Sequence, residues 1–199
     1  MSASEPSVLC IAGSPRRHGN SDRLLQATAQ GVTEAGGIAR TLIVSEAGIA
    51  PCRGCNSCSK DGVCVVHDGM QAVYPMLDEA DVIVVATPVY FATVPAVLKA
   101  LYDRCQPYWA RRYVLGQPIA RRRPGALLLV RGGGDPFGGE CAVTTTRSVF
   151  AVLGVDLVDQ LDLQGPDAPG DVESYPESFA RARRIGRELV SISGKRAAP

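Results

Sequence analysis

The sequence predicts an α/β protein: a doubly wound, five-stranded parallel sheet with helices on both sides. Three observations carry that prediction. Short apolar runs of strand length alternate along the chain with segments of helical periodicity. Runs such as SVLCIAG and DVIVVATP are too apolar to leave one face in water, which suits strands buried on both faces. Finally, 199 residues with 46% hydrophobic and 21% charged content are enough for one globular domain with a true core, residues 1–199.

The first strand is SVLCIAG (7–13), and it stops at the loop GSPRRHGNSDRLL. Asn20 or Ser21 is placed to cap a helix over about 21–35, closed by Gly36 and Gly37. ARTLIVS (39–45) is the second strand and leads into a cysteine-rich insert at about 50–68. A helix over 69–79 precedes the most hydrophobic strand, 81–88, and VPAVLKALYDRC (94–105) has apolar residues at helical spacing. Residues 106–124, QPYWARRYVLGQPIARRRP, read as a long basic loop. GALLLVRG (125–132) is the fourth strand, followed by a glycine-rich loop and a helix near 141–153. VDLVDQLDL (155–163) is the fifth strand, and a basic amphipathic helix over 174–193 ends the pattern. Only the extreme termini read as disordered, and no internal repeat interrupts the order.

Composition excludes several classes of function. A net charge of +1 gives no global field for nucleic acid or an anionic membrane. No apolar run reaches the roughly 18 residues that a membrane-spanning helix needs. The opening MSASEP lacks the basic-then-apolar layout of a secretory signal, and seven cysteines are an odd number for a disulfide framework. The expectation is a cytoplasmic protein with reduced thiols, in which a tight cysteine cluster binds metal.

In sheets of this kind, ligands bind beyond the carboxyl ends of the strands, where the strand order reverses. The loop after the first strand is therefore the first candidate. GSPRRHGNS is not a Walker A loop, because five residues separate Gly13 from Gly19 and Asn20 stands where lysine should be. A G-x-G-x-x-G fingerprint fails there, and fails in GGGDPFGG because Phe137 occupies the last glycine position. What remains is a nest of hydroxyl, amide and backbone N–H groups at Ser14, Asn20 and Ser21, with Arg16 and Arg17 beside it. Such a nest suits a monophosphate that arrives without magnesium; an ordinary capped turn is the bland alternative. After the third strand, Pro88, Val89, Tyr90 and Phe91 offer a stiff edge for a flat ring. Gly132, Gly133 and Gly134 let backbone approach a ligand closely, or simply make a flexible turn.

GSPRRHGNS, PVYFATVPAVLKALYDR and the glycine loop together resemble the NADPH-dependent FMN reductase family of flavodoxin-like proteins. The insert, with CSKDGVCVVHDGM running into its helix, resembles the iron–sulfur flavoprotein branch of that family. The likeness covers roughly residues 7–155. It implies the flavodoxin-like strand order 2-1-3-4-5. FMN would be held by its phosphate at Ser14, Arg16, Asn20 and Ser21, with its ring near Pro88 to Phe91 and further contacts from Gly132 to Gly134. A homodimer or homotetramer is also implied. The chain departs from the family pattern at Gly69, where a second Asp often follows Asp68, and in the arginine-rich stretch at 106–124.

The insert holds Cys52, Cys55, Cys58 and Cys64, in the pattern C-x2-C-x2-C-x5-C. Three cysteines at successive x2 intervals suit the corners of a [4Fe–4S] cube, and Lys60, Asp61 and Gly62 can turn the chain back to bring in the fourth. Structural zinc usually pairs two knuckles across a longer spacer, and a loop that keeps its cysteines without metal is the blandest alternative. Cys10, Cys105 and Cys141 fall in predicted strand or helix, where buried inert thiols are the default. His67, beside the insert, could ligate or relay protons, but both His18 and His67 read first as surface histidines. Arg111, Arg112 and Arg121–Arg123 could bind a nucleotide phosphate or an acidic redox partner, or form a solvated loop or subunit contact.

The leading expectation is thus an FMN-dependent oxidoreductase that relays electrons between a [4Fe–4S] cluster and FMN, with a ferredoxin-type or small-molecule partner. No general acid or base is assigned, since the cofactors carry the chemistry. One alternative is an FMN or quinone reductase without a working cluster, taking NAD(P)H as donor. An alternative of another class is a zinc-stabilised binding module.

Overall fold

The computed structural model describes residues 5–134 and 136–196, so the termini expected to be disordered lie largely outside the described residues. Five parallel strands form one sheet in the order β2-β1-β3-β4-β5: β1 (Ser7–Ala12), β2 (Ile38–Ile43), β3 (Val82–Pro88), β4 (Arg123–Arg131) and β5 (Val155–Gln164). The order reverses between β1 and β3, as expected for a flavodoxin-like sheet. β1, β3 and β4 are buried on both faces; the edge strands β2 and β5 are not, and alternate towards solvent. The expectation that no strand has a wet face therefore fails at the edges, where only one neighbouring strand and one helix layer cover the chain.

Seven helices complete the fold among the described residues: α1 (Asn20–Glu34), α2 (Cys58–Asp61), α3 (Met70–Glu79), α4 (Ala96–Asp103), α5 (Gln106–Tyr113), α6 (Glu140–Leu153) and α7 (Pro176–Arg196). Alternation along the strands divides the core into two layers. Leu9, Ile11, Ile83, Val85, Leu127 and Leu129 pack against α3, α4, α5 and α6. Val8, Cys10, Val82, Val84, Ala126 and Leu128 pack against α1 and α7. Helices α1 and α7 cross at van der Waals closeness. A Cβ on Gly31 would fall 1.9 Å from the Arg183 carbonyl, and one on Gly186 would fall 2.1 Å from that of Thr28. Only glycine permits this backbone approach.

Three sequence expectations need correction. Residues 106–113 are a helix, α5, rather than loop. Pro107 sits in the first turn, where a missing N–H costs nothing, and Tyr108 and Ala110 are buried beneath it. α1 begins one residue early, and neither Asn20 nor Ser21 caps it; Gly19 is the N-cap and no side chain bonds the first amides. Cys141, expected to be buried, is exposed near the start of α6, whereas Cys10 and Cys105 are buried as expected.

Candidate functional site

Two sites emerge, one at the carboxyl ends of the strands and one on the cysteine insert. At the first, the loops after β1, β3, β4 and β5 enclose a cavity of about 80 Å³. Ser14, Arg16, Asn20, Ser21, Pro88, Val89, Tyr90 and Gly132 all line it. Sequence reasoning had chosen these residues from three separate loops, and the fold brings them together. Phe91 does not line this cavity; it belongs to an adjacent open hollow of about 650 Å³ with Val89, Tyr90, Ala92, Pro136 and Phe137. Gly133 and Gly134 line neither, and a Cβ on either would meet open space.

The smaller cavity has the chemistry of an anion site. Ser14 and Ser21 are buried, and Ser14 Oγ accepts the Arg16 N–H at 3.0 Å, which folds the loop over the start of α1. Because no side chain caps α1, its first amides and the positive end of its dipole are available beside that cavity. Arg17 is drawn off by Glu46 and Arg23 by Glu173, leaving the Arg16 guanidinium without an ion-pair partner among the described residues. Asn20 has a different role from the one expected. Its Nδ2 donates to Ala168 O at 2.9 Å, and its Oδ1 accepts the Gly170 and Val172 N–H groups at 3.0 and 3.3 Å. The Asn20 side chain thereby ties the loop after β5 to the start of α1.

That fourth loop was missed from the sequence: Pro166, Asp167 and Pro169 all line the cavity. Its signal was the turn-rich GPDAPGD directly after the fifth strand, at the same end of the sheet as the other three. The hollow next door is apolar and aromatic. Its tip is a two-residue turn in which Tyr90 and Thr93 exchange backbone hydrogen bonds of 2.8 and 3.1 Å. Phe91 and Ala92, the central residues, have φ of 50° and 63°, conformations that cost non-glycine residues energy. Phe91 is displayed there at 98% exposure. The two spaces share Val89 and Tyr90, so a phosphate in the first and a flat ring against the second are within reach of one molecule.

The second site is a cavity of about 250 Å³ lined by Cys52, Cys55, Cys58 and Cys64 together. No His, Asp or Glu lines it, so the donor set is purely thiolate and suits soft metals. The loop winds tightly to achieve this. Gly54, Asn56 and Gly62 adopt positive φ of 62°, 57° and 75°, and the Gly54 N–H points at Cys52 Sγ at 3.5 Å. Burial pushes the Cys58 thiol up, with a further push from the Cys64, Cys52 and Cys55 charges; Cys55 is drawn down, chiefly by the Ser57 hydroxyl. Among the described residues no three His, Cys, Asp or Glu side chains are drawn together around a single metal ion. His18 and His67 are exposed and line neither site.

One residue of this second site went unnoticed in the sequence. Arg104, at the end of α4, is 1% exposed, and it forms part of the wall of the cysteine cavity. Its Nη1 donates to Ala50 O at 2.9 Å and to Asp68 Oδ2 at 2.7 Å; its Nη2 donates to Val66 O at 3.2 Å and to Asp68 Oδ1 at 3.1 Å. One guanidinium thus clamps both ends of the insert, just before Cys52 and just after Cys64. Its Nε is buried without a partner. Asp68 in turn accepts the Ala50 and Met70 N–H groups. Gly69 explains itself here too: a Cβ would lie 1.5 Å from Ala47 O, so the base of the insert closes only over glycine.

The profile of a family described as NADPH-dependent FMN reductase matches residues 6–163. An iron–sulfur flavoprotein of Methanosarcina thermophila is 35% identical over 189 residues, covering 94% of this chain and 90% of that protein. Another from Methanocaldococcus jannaschii is 27% identical over 192 residues, covering 93% and 96%. Among solved structures, an NAD(P)H:quinone oxidoreductase from Methanothermobacter marburgensis superposes with a TM-score of 0.65 at 22% identity, covering 94% of this chain and 96% of that one. An FMN-dependent NADH-azoreductase from Bacillus anthracis, in complex with FMN, gives 0.64 at 13%, covering 93% and 99%. These last two likenesses concern the fold.

Proposed function

The chain belongs to the NADPH-dependent FMN reductase family, within its iron–sulfur flavoprotein branch, and is an FMN-dependent oxidoreductase; on that premise we propose that it relays electrons between FMN and a [4Fe–4S] cluster. The observation that carries the cluster is the convergence of four cysteines on one cavity of about 250 Å³. Four cysteines with no His, Asp or Glu among the lining residues fit the ligand set of an iron–sulfur cluster, and three of them at successive x2 intervals suit a cube better than the paired knuckles of structural zinc. When bound, FMN supplies transfer of one or two electrons and the cluster transfer of one. Cys52, Cys55, Cys58 and Cys64 would hold the cluster, and the buried Arg104 guanidinium would place a fixed positive charge against it.

In the flavin site, Ser14, Arg16, Ser21 and the open amides of α1 would receive the phosphate. Val89, Tyr90 and Phe91 would flank the ring, while Asn20 holds the loop after β5 in place rather than touching phosphate. Replacing Arg16 with Gln is expected to weaken FMN binding about ten- to a hundredfold, the effect of losing one charge-assisted contact. Fluorescence titration of the apoprotein measures this. Thermal stability should be unchanged, since the guanidinium has no ion-pair partner among the described residues. Equal affinity in both proteins would remove Arg16 from the phosphate site.

The two cavities share no residue, so no common wall brings the two cofactors together within one chain. This supports a homodimer or homotetramer in which the insert of one subunit approaches the flavin of another, with a ferredoxin-type donor completing the relay. Sedimentation of the fully loaded protein is expected to show association at micromolar concentration; a monomer that still passes electrons from cluster to flavin would refute the arrangement.

A further inference from the structure

At the opposite ends of the strands from the flavin site lies a cavity of about 220 Å³ that neither cofactor uses. Arg111 and Arg112 of α5 line it together with Arg121 and Arg123, the latter at the start of β4. Arg123 and Arg131 open and close β4, so the strand's rise puts this cavity about 26 Å from the flavin end. Four guanidiniums around one small space require an account of their charge.

Part of it is structural. Arg123, 6% exposed, donates to Ala80 O at 2.6 Å and Leu153 O at 3.2 Å, the last carbonyls of α3 and α6. Arg112 donates to Ala151 O at 3.1 Å, and Arg121 to Ala80 O at 2.7 Å. These contacts fix the side chains and offset about half a charge at each helix end. Asp81 pairs with Arg121 at 2.5 Å. The one carboxylate in the wall, Asp78, accepts the Tyr108 hydroxyl at 2.8 Å and makes no ion pair. Among the described residues, Arg111, Arg112 and Arg123 have no carboxylate within ion-pair distance, and the buried Arg123 Nε has no acceptor at all. After those offsets and that of the α5 C-terminus, whose last turn carries Arg111 and Arg112, a positive excess and several N–H donors remain without a counterpart. Burial, followed by repulsion from Arg121, pulls Arg123 below the usual arginine range.

We propose that this cavity binds a small phosphate-bearing anion. Guanidinium forks match phosphoryl oxygens, and Pro118, Ile119 and Val152 supply an apolar wall for whatever carries the phosphate. The volume is below the roughly 300 Å³ at which drug-sized pockets begin, which restricts the ligand to a pyrophosphate or a short phosphorylated metabolite. The site also touches the cysteine insert: Arg111 Nε donates to Gly62 O at 2.9 Å, and a Cβ on Gly62 would lie 2.5 Å from Arg111 Cγ. The proposal stands whether or not the insert holds a cluster.

The test is calorimetric titration of inorganic pyrophosphate into FMN-loaded protein, so that the phosphate nest at Ser14 is already filled. One equivalent should bind per chain with a submillimolar dissociation constant that weakens with added salt. Gln117 also lines the cavity; Arg112→Gln and Gln117→Glu, one removing a donor and the other placing a competing carboxylate in the wall, should each weaken binding at least about tenfold. Flavin content and circular dichroism should match the wild type, and Arg184→Gln on the exposed face of α7 should leave binding unchanged. Absence of saturable binding, or binding untouched by both cavity substitutions, would overturn the proposal.

Discussion

Replacing Arg104 with methionine is expected to destabilise the protein by about 3–5 kcal/mol, because it leaves the Asp68 carboxylate, 15% exposed, without its partner. The loss reaches further than one ion pair. Ala50 O and Val66 O lose their donor at the same time, so both ends of the cysteine insert come free of α4. Urea denaturation of the FMN-loaded protein measures the stability, and iron content after anaerobic reconstitution measures the insert. Arg104→Lys should recover only part of the effect, since an ammonium cannot reproduce the planar fork that reaches Asp68 and two carbonyls. In the wild type the same pair gives stability an acid limb. Hydrogen bonding to Arg104, more than any other cause, holds the Asp68 carboxyl at about 2, against 3.8 for the ordinary group. A depressed folded-state value stabilises the fold fully above the ordinary pKa, and that stability is lost as pH falls through the folded one. About 2 kcal/mol should therefore disappear between about pH 4 and pH 2, and Asp68→Asn should flatten that limb. An unaltered acid limb in Asp68→Asn would show that the pair is not what acid breaks.

Cys58→Ala is expected to abolish stable cluster binding while leaving FMN in place. Cys58 is the buried member of the four thiols, at the start of α2, so no solvent-borne ligand readily replaces it. The flavin cavity shares no residue with the insert, and its occupancy should not change. Cys105→Ala is the control. Its thiol is buried, donates to Leu101 O at 3.5 Å and does not line the cysteine cavity. That change should cost about 1–2 kcal/mol of packing and no iron. Iron, acid-labile sulfide, zinc and flavin per chain, in anaerobically prepared wild type and both variants, give the result. About four iron and four sulfide with one FMN in the wild type, and FMN alone in Cys58→Ala, is the expected pattern. Stoichiometric zinc, or reconstituted wild type that takes up no iron, would end the cluster reading and leave the flavin assignment intact.

Much of both sites was legible in advance, for a local reason. Ser14, Arg16 and Ser21 lie on one short loop, and the rule that ligands bind beyond the carboxyl ends of parallel strands needs no coordinates. The four cysteines fall within thirteen residues, so their spacing alone limits what they can surround. Asn20 shows where such reading stops. Its type suited a phosphate contact, but its partners lie 148 to 152 residues away in the chain, and only folding showed that its amide was already committed. The helix at Gln106–Tyr113 was hidden because Pro107 and the arginines read as loop. What makes it a helix is burial of Tyr108 and Ala110 against the core, a tertiary fact that overrides local propensity.

The sequence by itself determined the alternation of strand and helix and the spacing of the four cysteines, and it pointed to the loop after β1 as a candidate anion nest. Each is written in periodicity or in spacing within a few residues. Tertiary structure alone decided the rest: that Arg104 reaches 36 residues back to Asp68 to close the insert, that the loop after β5 completes the cavity at the carboxyl ends of the strands, and that four arginines converge at their amino ends. The physical reason is the same in all three. A side chain's type announces its charge and its hydrogen-bonding groups, but its partners come from distant parts of the chain, and burial makes those partnerships obligatory.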